Sequence, residues 1–404
     1  MADTIVIAGA GHAAGQAIAT LKQKQFAGRI VLVGDEPYLP YQRPPLSKKF
    51  LAGEMPAERL YFKPASFYKD ANIETRLGTR IDALRRDARQ LRTESAETIN
   101  YDKLILALGA RARTLPVPGA ELQGIHYLRS IADVEGIRAE MAPGKSVVIV
   151  GAGYIGLEVA AVSRQQGLHV TVIELEDRVM SRVVSPEVSA FYEKRHAQHG
   201  IDLRLSTGLE AFSGDGRVAA VQTSDGASIP ADFVVVGVGI RPNTEIAEEA
   251  GLAVNNGIVV DDTCRSSDPD IYSIGDCTSH PNSIYGRHLR LESVHNALEQ
   301  AKTAASNLCG DETHYSQVPW FWSDQYDLKL QIAGLSEGYD DVVIRGEPAE
   351  SSFACFYLRQ RKLIAVDAIN SPREFMQSKA LIAAHAEVDP RDLADPAIAL
   401  RDLG

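Results

Sequence analysis

Cysteine is scarce in this chain of 404 residues. Cys264, Cys277, Cys309 and Cys355 stand far apart, and none belongs to a C-x-x-C pair. That spacing offers neither a structural zinc site nor a redox-active disulfide of close-set cysteines. Each thiol is read as a small buried hydrophobe. Long apolar runs are also missing. Phe233–Ile240, among the longest, suits a strand and falls far short of the about 20 residues that a membrane span needs. There is no surplus of positive charge: 42 Lys and Arg against 53 Asp and Glu leave a net −11. Binding to nucleic acid through general charge attraction is therefore not expected. The N-terminus runs almost at once into a strand, with no basic stretch ahead of an apolar one, so the expectation is a cytoplasmic protein without a secretory signal. The length suits two or three domains.

Glycine is plentiful where it matters. Thr4–Glu36 reads as strand, glycine turn, helix, strand. Ile5–Ala8 is a buried parallel strand, followed by Gly9-Ala10-Gly11-His12-Ala13-Ala14, a G-x-G-x-x-A form of the dinucleotide fingerprint. Gly9 permits the tight turn, Gly11 lets a pyrophosphate approach the backbone, and Ala14 lets helix and strand pack closely. The helix N-terminus supplies N–H groups for the phosphates. Arg29–Val33 is the second strand, and Asp35 just beyond it can accept from an adenosine ribose.

The pattern returns. Ser146–Val150 is a strand, Gly151-Ala152-Gly153-Tyr154-Ile155-Gly156 a full G-x-G-x-x-G, Leu157–Gln166 a helix and His169–Ile173 a strand closing on Glu174. Two such units imply two bound nucleotides. Glu174 would accept from a ribose 2′-OH and repel a 2′-phosphate, which favours NADH over NADPH. Glu158 sits in the first turn of the second helix, either as a carboxylate suited to a helix N-terminus or facing a nicotinamide.

Other segments read less directly. Pro37–Lys49 is rich in proline, with Arg43 and Lys48 as its cations, and forms either a solvated loop or a wall of the cofactor site. Leu60–Lys69 is expected to be helical, and Ile73–Ile81 and Tyr101–Leu108 to be strands. Glu193, His196 and His199 have helical spacing for a metal, but Lys194 and Arg195 lie between them. A solvated helix end is expected there, and no metal is assigned. Asp270–Asp276 is a strand ending in Gly-Asp. From Pro319 the pattern becomes that of a small α+β domain, with both tryptophans in Trp320-Phe321-Trp322. The expected class is α/β: two Rossmann-like nucleotide-binding domains of glutathione-reductase type plus the C-terminal α+β domain. FAD would take 1–113 and 241–318, NAD would take 114–240, and the last domain would run 319–404.

These motifs resemble the FAD-dependent, NADH-linked ferredoxin reductases of bacterial oxygenase systems. The resemblance rests on the paired fingerprints, YQRPPLSK at Tyr41–Lys48, LALGA at Leu106–Ala110, YSIGD at Tyr272–Asp276, ESVHNALEQAK at Glu292–Lys302 and FWSDQY at Phe321–Tyr326. It implies FAD contacts from Ala13, Asp35, Arg43, Lys48, Ile81, Arg129, Asp276, Val294 and Trp322. For NADH it implies Ile155, Glu158, Glu174 and Gly239. Hydride transfer between two such cofactors needs no protein acid or base, so Lys48 and Glu158 are expected to act electrostatically as an ion pair. Electrons would then pass singly to a [2Fe–2S] ferredoxin serving a cytochrome P-450 or a ring-hydroxylating oxygenase. The chain lacks ligands for a cluster of its own. Lys302, Lys329 and Arg401 are the expected docking cations for an acidic ferredoxin, against the reading of ordinary solvated charges.

Rival readings in the same architecture are rubredoxin reductase and monodehydroascorbate reductase. An NADH oxidase or peroxidase would need a flavin-side cysteine, and none lies near the first helix. A signalling flavoprotein resembling apoptosis-inducing factor would carry a targeting segment and a long C-terminal insertion.

Overall fold

The computed structural model describes residues 3–403; Met1, Ala2 and Gly404, at the outer bounds of the expected domains, lie outside it. The chain forms two compact units.

One unit comprises residues 3–43, Glu58–Arg111 and Arg241–Pro319. Its centre is a five-stranded parallel sheet in the order Ile271–Ser273, Lys103–Leu106, Thr4–Ala8, Arg29–Val33, Glu74–Arg76. The strands are short and apolar because both faces are covered. Helices His12–Gln23 and Val294–Leu308 share one core, where Ile18, Leu21, Ala301 and Ala304 are fully buried with Ile5 and Ile7. Val6, Val31 and Leu104 face the opposite core. An antiparallel sheet of Ile81–Arg85, Gln90–Thr93 and Thr98–Asn100 completes the unit.

The other unit comprises Pro44–Ala57, Ala112–Ile240 and Trp320 to residue 403. Its parallel sheet runs Asp202–Arg204, His169–Ile173, Ser146–Val150, Phe233–Val236, Ile125–Tyr127. Helix Tyr154–Gln165 follows the glycine turn. A five-stranded antiparallel sheet carries the order Trp320–Gln325, Leu328–Gly334, Lys362–Ile369, Ser352–Arg359, Asp341–Glu347, and helix Pro372–Ala383 packs on it.

Two expectations change. The helix expected over Leu60–Lys69 spans only Ala65–Asp70, because Pro64 precludes the helical conformation for the residue before it. Ile73–Ile81 is two strands in two sheets, Glu74–Arg76 and Ile81–Arg85. They are separated at Gly78, whose φ of +63° breaks an extended run.

Candidate functional site

Both glycine turns have the form that phosphates require. Helices Ile131–Glu140, Pro186–Gln198 and Val294–Leu308 are capped by the side chains of Ser130, Ser185 and Ser293. The N-caps of the helices behind Gly11 and Gly153 are the glycines themselves, which put no side chain between a phosphate and the helix N-terminus. A Cβ on Gly9 would lie 2.1 Å from the Ala107 carbonyl oxygen, and one on Gly156 would lie 2.0 Å from that of Gly151. Gly9 is thus required by the close approach of the segment after strand Lys103–Leu106, and Gly156 by the glycine turn itself. A Cβ on Gly11 or Gly153 would meet nothing within 4 Å, so bareness there leaves open space rather than packing. The two turns thus fit two dinucleotides.

The acidic strand ends differ in detail. Glu174 Oε2 accepts from the Ala152 N–H at 2.6 Å and Oε1 from the Glu176 N–H at 3.1 Å, which fixes the carboxylate beside the second glycine turn. Asp35 Oδ1 accepts from the Glu36 N–H at 3.0 Å. Glu36 in turn holds Arg43, whose guanidinium donates to Glu36 Oε1 at 2.7 Å and to the Tyr41 hydroxyl at 3.0 Å. Burial works against the Arg43 charge, but Tyr41, Glu36 and Asp276 together more than offset it and raise its pKa. Arg43 and Asp276, expected on sequence grounds, therefore interact in one unit. Ile155 and Gly239 lie in the second unit with Glu174. Ile155 is 38% exposed beside the turn, and Gly239 has a φ of +99° facing open space.

Pro44–Ser47 forms a single 3-10 turn, which directs Ser47 and Lys48 inward. Lys48 Nζ lies 2.8 Å from Glu158 Oε2. Ser47 Oγ donates to the same oxygen at 2.5 Å, and Ser323 Oγ donates to Oε1 at 2.6 Å. Glu158 is 3% exposed. A buried carboxylate is tolerable only when paired and hydrogen-bonded, and this one has an ammonium and two hydroxyls. The expected ion pair is formed. Ser47 and Ser323 were not singled out from sequence, although both sit in the stretches YQRPPLSK and FWSDQY.

Residues 3–301 match the pyridine nucleotide-disulphide oxidoreductase family, and residues 320–404 match the reductase C-terminal family. The chain belongs to that oxidoreductase family. Its relatives place it among the ferredoxin reductases. Rhodocoxin reductase of Rhodococcus erythropolis is 46% identical over 97% of this chain and 92% of its own length. The ferredoxin reductase for the CYP199A2 system of Rhodopseudomonas palustris is similar in structure, with a TM-score of 0.96, 44% identity and 99% of each chain covered. The reductase chain of the covalent putidaredoxin reductase–putidaredoxin complex also aligns with a TM-score of 0.96, at 42% identity over 99% of this chain and 97% of that one. As a member of this family the chain is a flavoprotein oxidoreductase using FAD and NAD(P)H.

The remaining expected residues are distributed as follows. Gly9, Gly11, Ala13, Ala14, Asp35, Arg43, Ile81, Asp276 and Val294 lie in the first unit, whereas Lys48, Arg129 and Trp322 lie in the second. Trp322 stacks at a tilt with Trp320 and Phe321, at centroid distances of 5.5 and 6.2 Å. Lys302 pairs with Glu299 at 2.6 Å. Lys329 and Arg401 are exposed, the latter 3.7 Å from Asp402. The segment expected as a solvated helix end is not one throughout. His196 is fully buried, because strand Trp320–Gln325 of the C-terminal part supplies Gln325 as its partner. Among the described residues no helix is long and apolar enough to cross a membrane.

Proposed function

We propose that the protein takes electrons from NADH through FAD and hands them one at a time to a [2Fe–2S] ferredoxin, which supplies a cytochrome P-450 or a ring-hydroxylating oxygenase in the cytoplasm. The reading rests chiefly on the two glycine-turn helices, each with a carboxylate beyond the next strand. Relatives support the acceptor, through putidaredoxin reductase in covalent complex with putidaredoxin. When bound, FAD accepts a hydride from NADH and gives up electrons singly.

The chain's own contribution is binding and electrostatics. The turn at Gly9 and Gly11, with Ala13, Ala14 and Asp35, holds the FAD diphosphate and ribose. Gly151, Gly153, Gly156 and Glu174 hold NADH. The Lys48–Glu158 pair sets the charge felt during hydride transfer, without donating or taking a proton. The functional division is 1–113 with 241–318 for FAD, 114–240 for NADH and 319–404 as the C-terminal domain. Lys302, Lys329 and Arg401 attract the acidic ferredoxin. Steady-state turnover with a [2Fe–2S] ferredoxin, a rubredoxin and a small radical acceptor tests the acceptor. Preference for ferredoxin is expected; preference for either of the others would replace it with rubredoxin or monodehydroascorbate reduction.

A further inference from the structure

Glu158 is the end point of a chain of side chains that runs away from Lys48. Ser323 donates to Glu158 Oε1 at 2.6 Å, Gln325 Nε2 lies 3.2 Å from Ser323 Oγ, and His196 Nε2 lies 2.8 Å from Gln325 Oε1. The Tyr326 hydroxyl approaches His196 Nδ1 more loosely, at 3.4 Å. Glu158, Ser323, Gln325 and His196 are all at most 3% exposed. These residues come from helix Tyr154–Gln165, strand Trp320–Gln325 and helix Pro186–Gln198, so the chain joins three elements of one unit.

The direction of every bond follows from its end. Paired with an ammonium, the Glu158 carboxylate can only accept. The Ser323 hydrogen is therefore committed to it, and Ser323 Oγ must accept from Gln325. An amide that presents its NH2 to Ser323 presents its oxygen to His196. His196 must then donate from Nε2, which leaves Nδ1 to accept from Tyr326. Each bond polarises the next in the same sense, with donor ends pointing at Glu158.

We propose that Ser323, Gln325 and His196 are positioning residues, a one-way hydrogen-bond relay that holds the Glu158 carboxylate against Lys48. The proposal deepens the function above and rests on the reading that the Lys48–Glu158 pair tunes hydride transfer. Burial pushes the His196 pKa down to about 4, with Gln325 working against the fall and His199 adding to it, so the ring is neutral at neutral pH as the relay requires. Nothing in the NADH or FAD fingerprints covers these residues. The relay links the C-terminal part of the chain to the carboxylate on the NAD helix.

The test is histidine 15N NMR on the FAD-loaded protein at pH 7, with His196 assigned by the signals lost in His196→Gln. The expected spectrum shows a neutral ring protonated at Nε2, and Gln325→Leu should abolish that tautomer preference. A ring protonated at Nδ1, a charged ring, or a Gln325→Leu spectrum unchanged at His196 would overturn the relay. In stopped flow, Gln325→Leu should slow NADH-to-flavin hydride transfer about fivefold, the net worth of one hydrogen bond, and should have no further effect in a Lys48→Met background. Equal slowing in both backgrounds would reduce the relay to packing and overturn it. Should Gln325→Leu not fold, Ser323→Ala supplies the same rate comparison. Wild-type hydride transfer by Lys48→Met alone would sink the ion-pair reading, and the tautomer would then decide the relay by itself.

Discussion

The Lys48 ammonium lies 2.8 Å from Glu158 Oε2, across 110 residues of sequence and with Glu158 almost wholly buried. Removing one member of such a pair leaves the other charge in a poor solvent. Lys48→Met should therefore lower stability by about 2 kcal/mol, below the about 3–5 of a fully buried pair because two serine hydroxyls still serve the carboxylate. Lys48→Met/Glu158→Gln should recover most of that loss in denaturant melts. The same single variant should slow hydride transfer about tenfold, given a barrier change of about 1.4 kcal/mol. An unchanged rate would deny the pair its electrostatic role.

Glu174 is held by the Ala152 and Glu176 N–H groups beside the second glycine turn, and the proposed function gives it the ribose 2′-OH of NADH. Glu174→Gln keeps an acceptor and removes the charge that repels a 2′-phosphate. The ratio of kcat/KM for NADH over NADPH should fall about tenfold. Parallel kinetics with the two coenzymes measure it, and an unaltered ratio would place discrimination elsewhere.

Asp367 is a second buried carboxyl, hydrogen-bonded by the Tyr357 hydroxyl. Burial pushes its pKa up to about 7, with the Tyr357 bond opposing. The unfolded chain ionises this group near its ordinary 3.8. Between about pH 4 and 7 the native form thus holds more protons, so this group's contribution to stability falls as pH rises through that window. His196, pushed down to about 4 by burial, contributes in the opposite sense, adding stability from pH 4 to 6.5. Comparing Asp367→Asn with the parent protein isolates the carboxyl. The variant should gain Tm relative to the parent as pH rises from 5 to 8. A constant difference would mean that the native Asp367 carboxyl is already ionised at pH 5, as in the unfolded chain.

Charge reversal of Lys302, Lys329 or Arg401 should raise the KM for ferredoxin severalfold while NADH-driven dye reduction is unaffected. Added salt should narrow the difference, since exposed charges are screened beyond about 10 Å at 0.1 M. Equal effects on dye and ferredoxin would remove these cations from the docking surface. Lys302 has to leave Glu299, and Arg401 the looser pair with Asp402, to serve a partner, so Lys329 should show the largest effect of the three.

The nucleotide turns are legible in the sequence because their pattern is local, a strand, a glycine turn and a helix in one continuous stretch. What the glycines meet is not local: a Cβ on Gly9 or Gly151 would strike the carbonyl of Ala107 or Gly237, and one on Gly11 or Gly153 would meet nothing within 4 Å. The surroundings of Glu158 were only half legible. Lys48 stands out as a cation of the proline-rich segment and through the resemblance, but Ser47 and Ser323 lie 111 and 165 residues from Glu158, and no periodicity announces such pairings. His196 misled for the same reason. Lys194 and Arg195 beside it argue for solvent, while the strand that buries it begins at Trp320. The strand break at Gly78 shows the converse case, a local signal that was present but read as continuous.

The central claim is that a two-electron donor feeds a one-electron acceptor through this chain. Its most direct test is an anaerobic single-turnover experiment mixing the FAD-loaded protein with one equivalent of NADH and excess oxidised [2Fe–2S] ferredoxin, followed by absorbance. The account predicts that NADH bleaches the flavin and that two ferredoxins are reduced for each NADH consumed. A flavin that NADH leaves oxidised, or one that is bleached while the ferredoxin stays oxidised, would contradict it.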